Sequence, residues 1–198
     1  RLAVYAQATG ECWFYAENQG GPGNWGMEAH VTGLPRNYFF TGFDGESLMI
    51  VDATGGTIPE IILVNRGKGS WQNLQIITAP GISANQQPIL DDGRLVLSLN
   101  PGSASTAEFH FYERGSNALS PWQPSVPPLV LPASSTRQFL RHGRRLFVSE
   151  TSTPKSTTIY VPNPDGTWSV EQVIADREAL AVSRGLILTD FGVYAETG

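Results

Sequence analysis

The sequence predicts an all-β fold, a β-propeller built from four-stranded up-and-down blades of about 46 residues. Three observations predict it: tryptophans recur at a nearly constant interval, short apolar runs recur in phase with them, and glycine or proline breaks the apolar runs repeatedly. Helical solenoids have repeats of similar length, but these apolar runs are too short, too β-branched and too often interrupted for helices.

The tryptophan series is the first marker of the repeat. Its four members are separated by 46, 51 and 46 residues. A large aromatic side chain at a fixed blade position usually packs between neighbouring blades. We therefore expect the four side chains to be structurally equivalent and mostly buried. They are Trp25, Trp71, Trp122 and Trp168.

A series of leucine-led apolar runs is the second marker. The leading leucines are 46, 47, 51 and 40 residues apart, and the first four lie 23, 23, 27 and 22 residues before the next tryptophan of the series. Two markers that keep one phase are specific evidence for a repeat. The runs begin at Leu2, Leu48, Leu95, Leu146 and Leu186.

Each unit is predicted to contain four strands. In the second unit they are 37–40, 48–51, 58–65 and 71–77, with turns at 42–45, 53–56 and 66–69. In the fourth they are 138–140, 146–149, 158–161 and 168–174, with turns at 142–143 and 164–166. The Asp-Gly and Gly-Lys-Gly segments supply the positive φ angles of tight hairpins. Residues 169–183 alone would suggest a helix, but the repeat predicts two strands and a turn there.

The repeat divides the chain into units of about 1–34, 35–81, 82–133, 134–175 and 176–198. About four and a half repeats are present, and both ends fall inside a unit. The sequence therefore predicts a single propeller domain or a fragment of a larger one. We expect the native chain to carry a strand before residue 1 and a tryptophan-led strand after residue 198. Otherwise a small ring must close by pairing strands from the two termini.

Composition restricts the function. The net charge of −5 and the pI near 5.1 argue against nucleic acid as a partner. No apolar run reaches the roughly 18 residues of a membrane span, so no membrane insertion is predicted. Cys12 is the only cysteine and is expected to be a small buried hydrophobe. The three histidines match no metal motif, no cofactor motif is present, and no nucleophile elbow occurs, which favours a non-catalytic protein. They are His30, His110 and His142.

The first unit resembles the repeat of the fungal fucose-specific lectins and, more loosely, tectonin-type propeller repeats. The resemblance is carried by Tyr5, Gln7, Glu11, Trp13 and Trp25. It implies a six-bladed propeller, a sugar ligand and a secreted or cell-surface location. In those lectins an arginine on one strand and a glutamate on the next hold the sugar, while an aromatic ring stacks on it. Glutamate candidates are Glu11, Glu60 and Glu108, whereas the arginine positions hold Ala3, Met49, Val96 and Phe147.

The resemblance makes Tyr5, Gln7, Glu11 and Trp13 the candidate ligand-binding residues. A basic cluster, 137–145, offers a second possibility, an acidic or sulfated sugar, but a solvated hairpin tip is the favoured interpretation. The cluster consists of Arg137, Arg141, His142, Arg144 and Arg145.

Three functions remain open. The favoured one is a binding module that recognises a glycan or a protein partner through propeller loops or pockets between blades. The others are a structural repeat in a larger assembly or homo-oligomer, and a sialidase-like or glycoside-hydrolase-like enzyme.

Overall fold

A computed structural model describes residues 1–36, 38–52, 60–67, 70–78, 88–99, 105–115, 120–134, 137–183 and 186–195. All regular secondary structure in these residues is β-strand, so the all-β prediction is confirmed. The strands are β1 Leu2–Ala6, β2 Glu11–Glu17, β3 Trp25–Val31, β4 Tyr38–Phe43, β5 Ser47–Asp52, β6 Glu60–Gly67, β7 Ser70–Thr78, β8 Ile89–Asp91, β9 Arg94–Leu99, β10 Thr106–Arg114, β11 Trp122–Pro132, β12 Arg137–His142, β13 Arg145–Glu150, β14 Ser156–Pro162, β15 Trp168–Ala175, β16 Ala179–Ser183, β17 Leu186–Thr189 and β18 Gly192–Ala195.

The strands form five antiparallel sheets, numbered here along the chain. Sheet 1 contains β1–β3, sheet 2 contains β4–β7, sheet 3 contains β8–β11, sheet 4 contains β12–β15 and sheet 5 contains β16–β18. Each is a meander in which consecutive strands are hydrogen-bonded neighbours. The two strands and turn predicted within residues 169–183 are confirmed: β15 ends at Ala175, Asp176 adopts a positive φ of 58°, and β16 begins at Ala179.

Tight hairpins set the register of the sheets. Between β8 and β9, Asp92 and Gly93 both have positive φ angles, 44° and 68°, as a two-residue hairpin loop requires. In sheet 2 the predicted turn at 42–45 comes later, because Gly42 still pairs within β4. The Asp44 carboxylate accepts hydrogen bonds from the backbone N–H groups of Glu46 and Ser47 and thereby forms that turn. The predicted turn at 53–56 lies outside the described residues, as do residues 68 and 69 of the one at 66–69, whereas Arg66 and Gly67 end β6.

Successive sheets pack face to face. We call the face that packs on the preceding sheet the rear face, and the face that packs on the following sheet the front face. Between sheets 2 and 3, for example, Met49 and Leu63 of the front face contact Leu95, Leu97 and Trp122 of the rear face. Comparable apolar clusters fill the seams between sheets 1 and 2, 3 and 4, and 4 and 5. The core is therefore a series of seams between stacked sheets.

The tryptophans of the series lie at or next to the start of the last strand of sheets 1 to 4, on rear faces. Trp71 and Trp122 are buried and Trp168 is half-buried. The expectation that all four are buried is wrong for Trp25, which is 54% exposed. The physical reason is that no sheet among the described residues packs against the rear face of sheet 1.

The leucines of the second marker also differ in burial, for the same reason and for one more. Leu48, Leu95 and Leu146 are fully buried on rear faces, whereas Leu2 is exposed on the uncovered rear face of sheet 1. In sheet 5 the repeat slips by one residue. Leu186 is exposed, and the neighbouring Ile187 is buried against sheet 4.

Cys12 is fully buried in the seam between sheets 1 and 2, as predicted, and burial raises the pKa of its thiol to about 12. In the described part of the chain, no helix has the length and apolar character needed to cross a bilayer.

Candidate functional site: a pocket between sheets 3 and 4

One position of the repeat breaks the apolar pattern. In sheets 2 to 5, the first buried apolar residue of the second strand pairs with a residue of the first strand that faces the seam with the preceding sheet. In three sheets this residue is apolar and packs against the seam. In sheet 4 it is an arginine. The four pairs are Phe43 with Leu48, Leu90 with Leu95, Arg141 with Leu146, and Val182 with Ile187.

Arg141 is buried, with 9% of its surface exposed. Its Nε donates a hydrogen bond to the Gly143 carbonyl at 2.9 Å. Its Nη2 is 4.0 Å from Oε1 of Glu113, and its guanidinium carbon lies 5.9 Å from the centre of the Phe111 ring. Its Nη1 is buried and has no hydrogen-bond partner among the described residues. The guanidinium is therefore held in place, but one of its N–H donor groups is left without an acceptor.

The surroundings disfavour the charge on Arg141. Burial, followed by repulsion from Arg94, lowers the pKa of Arg141 to about 10, while attraction from Glu113 and Asp91 acts in the opposite direction. Glu113 is shared, because its Oε1 also accepts a hydrogen bond from Arg94 Nε at 3.2 Å. A pKa near 10 keeps Arg141 positively charged at neutral pH.

A pocket of about 210 Å³, including its open mouth, lies beside Arg141. The Phe111 and Trp168 rings, with centres 4.5 Å apart, form its aromatic wall. Glu113, Ser125 and Arg144 add polar groups, and Val126 and Pro162 complete the lining. Most of this volume is open to solvent, and the enclosed part, about 10 Å³, is on the scale of a single water molecule. A ligand would therefore lie across the open mouth, with at most one polar group reaching inward.

The equivalent places in the two preceding seams are filled. Between sheets 1 and 2, Trp71 stacks on Phe14 with ring centres 3.7 Å apart. Between sheets 2 and 3, Trp122 Nε1 donates a hydrogen bond to the buried Asn65 Oδ1 at 3.2 Å. Trp168 instead donates to the Pro127 carbonyl at 2.9 Å. Its indole therefore lies to one side of Glu113 and leaves that carboxylate accessible.

The members of the basic cluster at 137–145 lie in different environments. Arg137 pairs with Glu150, and Arg145 makes a two-pronged contact with Glu171 at 2.6 and 2.8 Å. The latter hydrogen bond lowers the pKa of Glu171. The interpretation of the cluster as a solvated hairpin tip is wrong for Arg141, because β12 directs this side chain into the seam rather than into solvent.

The residues suggested by the lectin resemblance do not form one site. Glu11 and Trp13 lie together on the rear face of sheet 1, where Trp13 stacks on His30 with ring centres 4.9 Å apart and planes within 5°. Glu11 Oε1 lies 3.7 Å from His30 Nε2. Tyr5 is on the opposite face and donates a hydrogen bond to the Pro35 carbonyl at 2.6 Å. Gln7 is half-buried in the turn that follows β1.

No group of three or more potential metal ligands is found among the described residues. The chain matches no family model, and neither a curated protein nor a solved structure is significantly similar to it.

Proposed function

We propose that the five stacked sheets are blades of a β-propeller and that the protein is a non-catalytic module that binds a glycan in the pocket between sheets 3 and 4. The propeller assignment is supported by the four-stranded meanders, by their face-to-face stacking and by the tryptophan repeated on successive rear faces. Pockets between adjacent blades are natural ligand sites, because side chains from two independent sheets meet there.

The unpartnered Nη1 of Arg141 is the observation that carries the proposal. A buried donor without a partner costs about 1–3 kcal/mol. An apolar residue at this position would avoid that cost, and the repeat accepts one, since Leu90 and Val182 occupy the same position in sheets 3 and 5. Positions that break the local pattern of a fold are typically functional. A ligand oxygen would satisfy the free N–H group.

The chemistry of the pocket fits a sugar. The half-buried Trp168 ring, which packs on the buried Phe111, can cover the apolar C–H side of a pyranose, and Glu113 can accept hydrogen bonds from hydroxyl groups. Arg141 and Arg144 outnumber that single carboxylate, which favours a sugar carrying a carboxylate or sulfate. The resemblance of the first unit to fungal lectin repeats is consistent with this ligand class.

The lining also favours binding over hydrolysis. Glycoside hydrolases use two carboxyl groups that flank the scissile bond. Of the residues that line this pocket, Glu113 alone carries a carboxylate.

A glycan array containing neutral, uronic-acid, sialylated and sulfated sugars, followed by titration calorimetry, tests the proposal. We expect the parent protein to prefer acidic or sulfated glycans and Arg141→Leu to weaken binding at least about tenfold, which corresponds to 1.4 kcal/mol. Arg145→Leu is the matched control, because Arg145 belongs to the same hairpin but pairs with Glu171 outside the pocket. Absence of glycan binding by the parent, or equal loss in both variants, would contradict the proposal.

A further inference from the structure

A β-bulge lies at the same place in the last strand of sheets 1, 3 and 4, three residues after the tryptophan. The bulged residue is Glu28 in sheet 1, Ser125 in sheet 3 and Glu171 in sheet 4. A bulge takes its extra residue out of the regular alternation of side chains and redirects it. The repeat thus places a carboxylate at this position in two sheets and a serine in the third.

All three sheets keep an arginine that can pair with this glutamate. It immediately precedes the leading leucine of the apolar run and is Arg1, Arg94 or Arg145. In sheet 1, Arg1 Nε lies 3.2 Å from Glu28 Oε2. In sheet 4, Arg145 donates two hydrogen bonds to Glu171. In sheet 3, where a serine stands at the bulge, Arg94 donates a hydrogen bond to Glu113 instead. Sheet 3 therefore keeps the cation of the pair and lacks its carboxylate.

Between sheets 1 and 2 the bulged glutamate reaches across the seam. Glu28 Oε1 accepts a hydrogen bond from Arg66 Nε of sheet 2 at 2.8 Å, and only 6% of the Glu28 side chain is exposed. Arg66 Nη1 also lies 3.7 Å from Oε2 of Glu46, which directly precedes β5. This end of the seam is thus filled by the protein's own carboxylates.

The pocket between sheets 3 and 4 lies at the equivalent place of its seam. Three of its lining residues occupy the positions that Glu28, Glu46 and Arg66 hold between sheets 1 and 2. They are, in the same order, Ser125, Arg144 and Pro162. Arg144, like Glu46, stands two residues before the leading leucine. Pro162, like Arg66, pairs with the tryptophan of its sheet. A hydroxyl group and a guanidinium therefore replace the two carboxylates of the filled seam.

We propose that a carboxylate of the bound sugar takes the place beside Ser125 that the Glu28 carboxylate takes between sheets 1 and 2, and that Ser125 is the residue that selects carboxylate-bearing glycans. This inference rests on the proposed function and narrows its ligand class from acidic or sulfated sugars to uronic and sialic acids. The cation is Arg141, whose Nη1 is buried and has no acceptor among the described residues. The enclosed part of the pocket holds about one oxygen atom, and a carboxylate can place one oxygen there while the other faces Arg144 at the mouth.

Titration calorimetry of the full chain with two oligosaccharides of equal length, one ending in glucuronic acid and one in 6-sulfoglucose, tests the ligand class. We expect the glucuronic acid probe to bind at least about tenfold more tightly. Ser125→Glu restores the glutamate of the repeat beside Arg141, so it should weaken binding of that probe at least about tenfold. Ser125→Gln, which is equal in size but uncharged, should weaken it less. Val130→Glu is the charge control and should leave it unchanged, because Val130 is exposed near the other end of β11.

Thermal unfolding without ligand tests the geometry separately. Ser125→Glu should raise the Tm of the parent by about 2–4 °C and that of Arg141→Leu by clearly less, because the new carboxylate has its buried partner only in the parent. Equal Tm shifts in the two backgrounds, equal or tighter binding of the sulfated probe, or unchanged binding by Ser125→Glu would each overturn the inference. If the sulfated probe binds as tightly and Arg141→Leu abolishes its binding, the proposed glycan site stands and this inference alone fails. A parent protein that binds neither probe would refute both.

Discussion

Replacing Arg141 with leucine should stabilise the folded protein while it removes ligand binding. The lowered pKa of Arg141, about 10, means that the folded protein destabilises the charged guanidinium by about 3 kcal/mol relative to the unfolded chain, and leucine removes this cost. The loss of the hydrogen bond to Gly143 subtracts about 1 kcal/mol, and the loss of the contact with the Phe111 ring subtracts about 0.5–1 kcal/mol. A net gain of about 1–2 kcal/mol corresponds to a rise in Tm of about 2–8 °C for a chain of this size.

Equilibrium urea unfolding of the parent and of Arg141→Leu measures this difference directly. The reciprocal variant, Leu90→Arg, places an arginine at the equivalent position of sheet 3. It should destabilise the protein, because its charge enters the seam in which Asn65, rather than a carboxylate, occupies the position of Glu113. A loss of more than about 1 kcal/mol in Arg141→Leu would refute the reasoning, since it would show that Arg141 contributes to stability rather than to a site.

The same pair of proteins gives a pH test with a defined sign. The pKa of Arg141 is about 10 in the folded protein, well below the ordinary arginine value that the unfolded chain is expected to show. Above pH 10 the folded protein therefore binds fewer protons at this site than the unfolded chain, and its free energy of unfolding rises with pH. The advantage of Arg141→Leu should be complete at pH 7 to 9 and should narrow as the pH rises above 10.

Two further predictions concern the core. Burial raises the pKa of the Cys12 thiol to about 12. The thiol should therefore react with a disulfide reagent at pH 8 only as fast as the protein opens. A reaction in native buffer as rapid as the reaction in urea would contradict the buried placement of Cys12. Trp71→Ala should lower the free energy of unfolding by about 3–5 kcal/mol, because the indole is buried and stacked on Phe14. Trp25→Ala should lower the free energy of unfolding by about 1 kcal/mol or less, because the Trp25 indole is exposed. Equal losses in the two variants would show that the environments of Trp71 and Trp25 do not differ as described.

The sequence predicted the meanders because the signals that specify them are local. Short apolar runs and Asp-Gly turns were sufficient to assign strands in the fourth unit, and the repeat overruled the helical composition of residues 169–183. Burial was harder to predict, because it depends on which sheet lies on each side. Trp25 has the same local sequence context as Trp71. Nothing in that context shows that, among the described residues, no sheet packs on the rear face of sheet 1.

The pocket could not be identified from the composition, because the positive charge of the basic cluster at 137–145 suggested a solvated loop. Arg141 stands among four other basic residues, and such clusters are usually exposed. Comparison of the hairpins by register, rather than by composition, would have revealed it, since Arg141 lies opposite Leu146 just as Leu90 lies opposite Leu95. The lectin resemblance identified Glu11 and Trp13 as neighbours, but it could not show that they lie on an end face instead of in a seam.

The division of the core into separate seams has a consequence for how this architecture can change. Each seam draws its side chains from two adjacent sheets only, so the energetic effect of a substitution is confined to nearest neighbours. Arg141 illustrates this independence, because the seam that it opens leaves the seam between sheets 2 and 3 fully packed. Polar residues can thus be introduced one seam at a time, and a single scaffold can acquire, lose or diversify recognition sites without redesign of the remaining core.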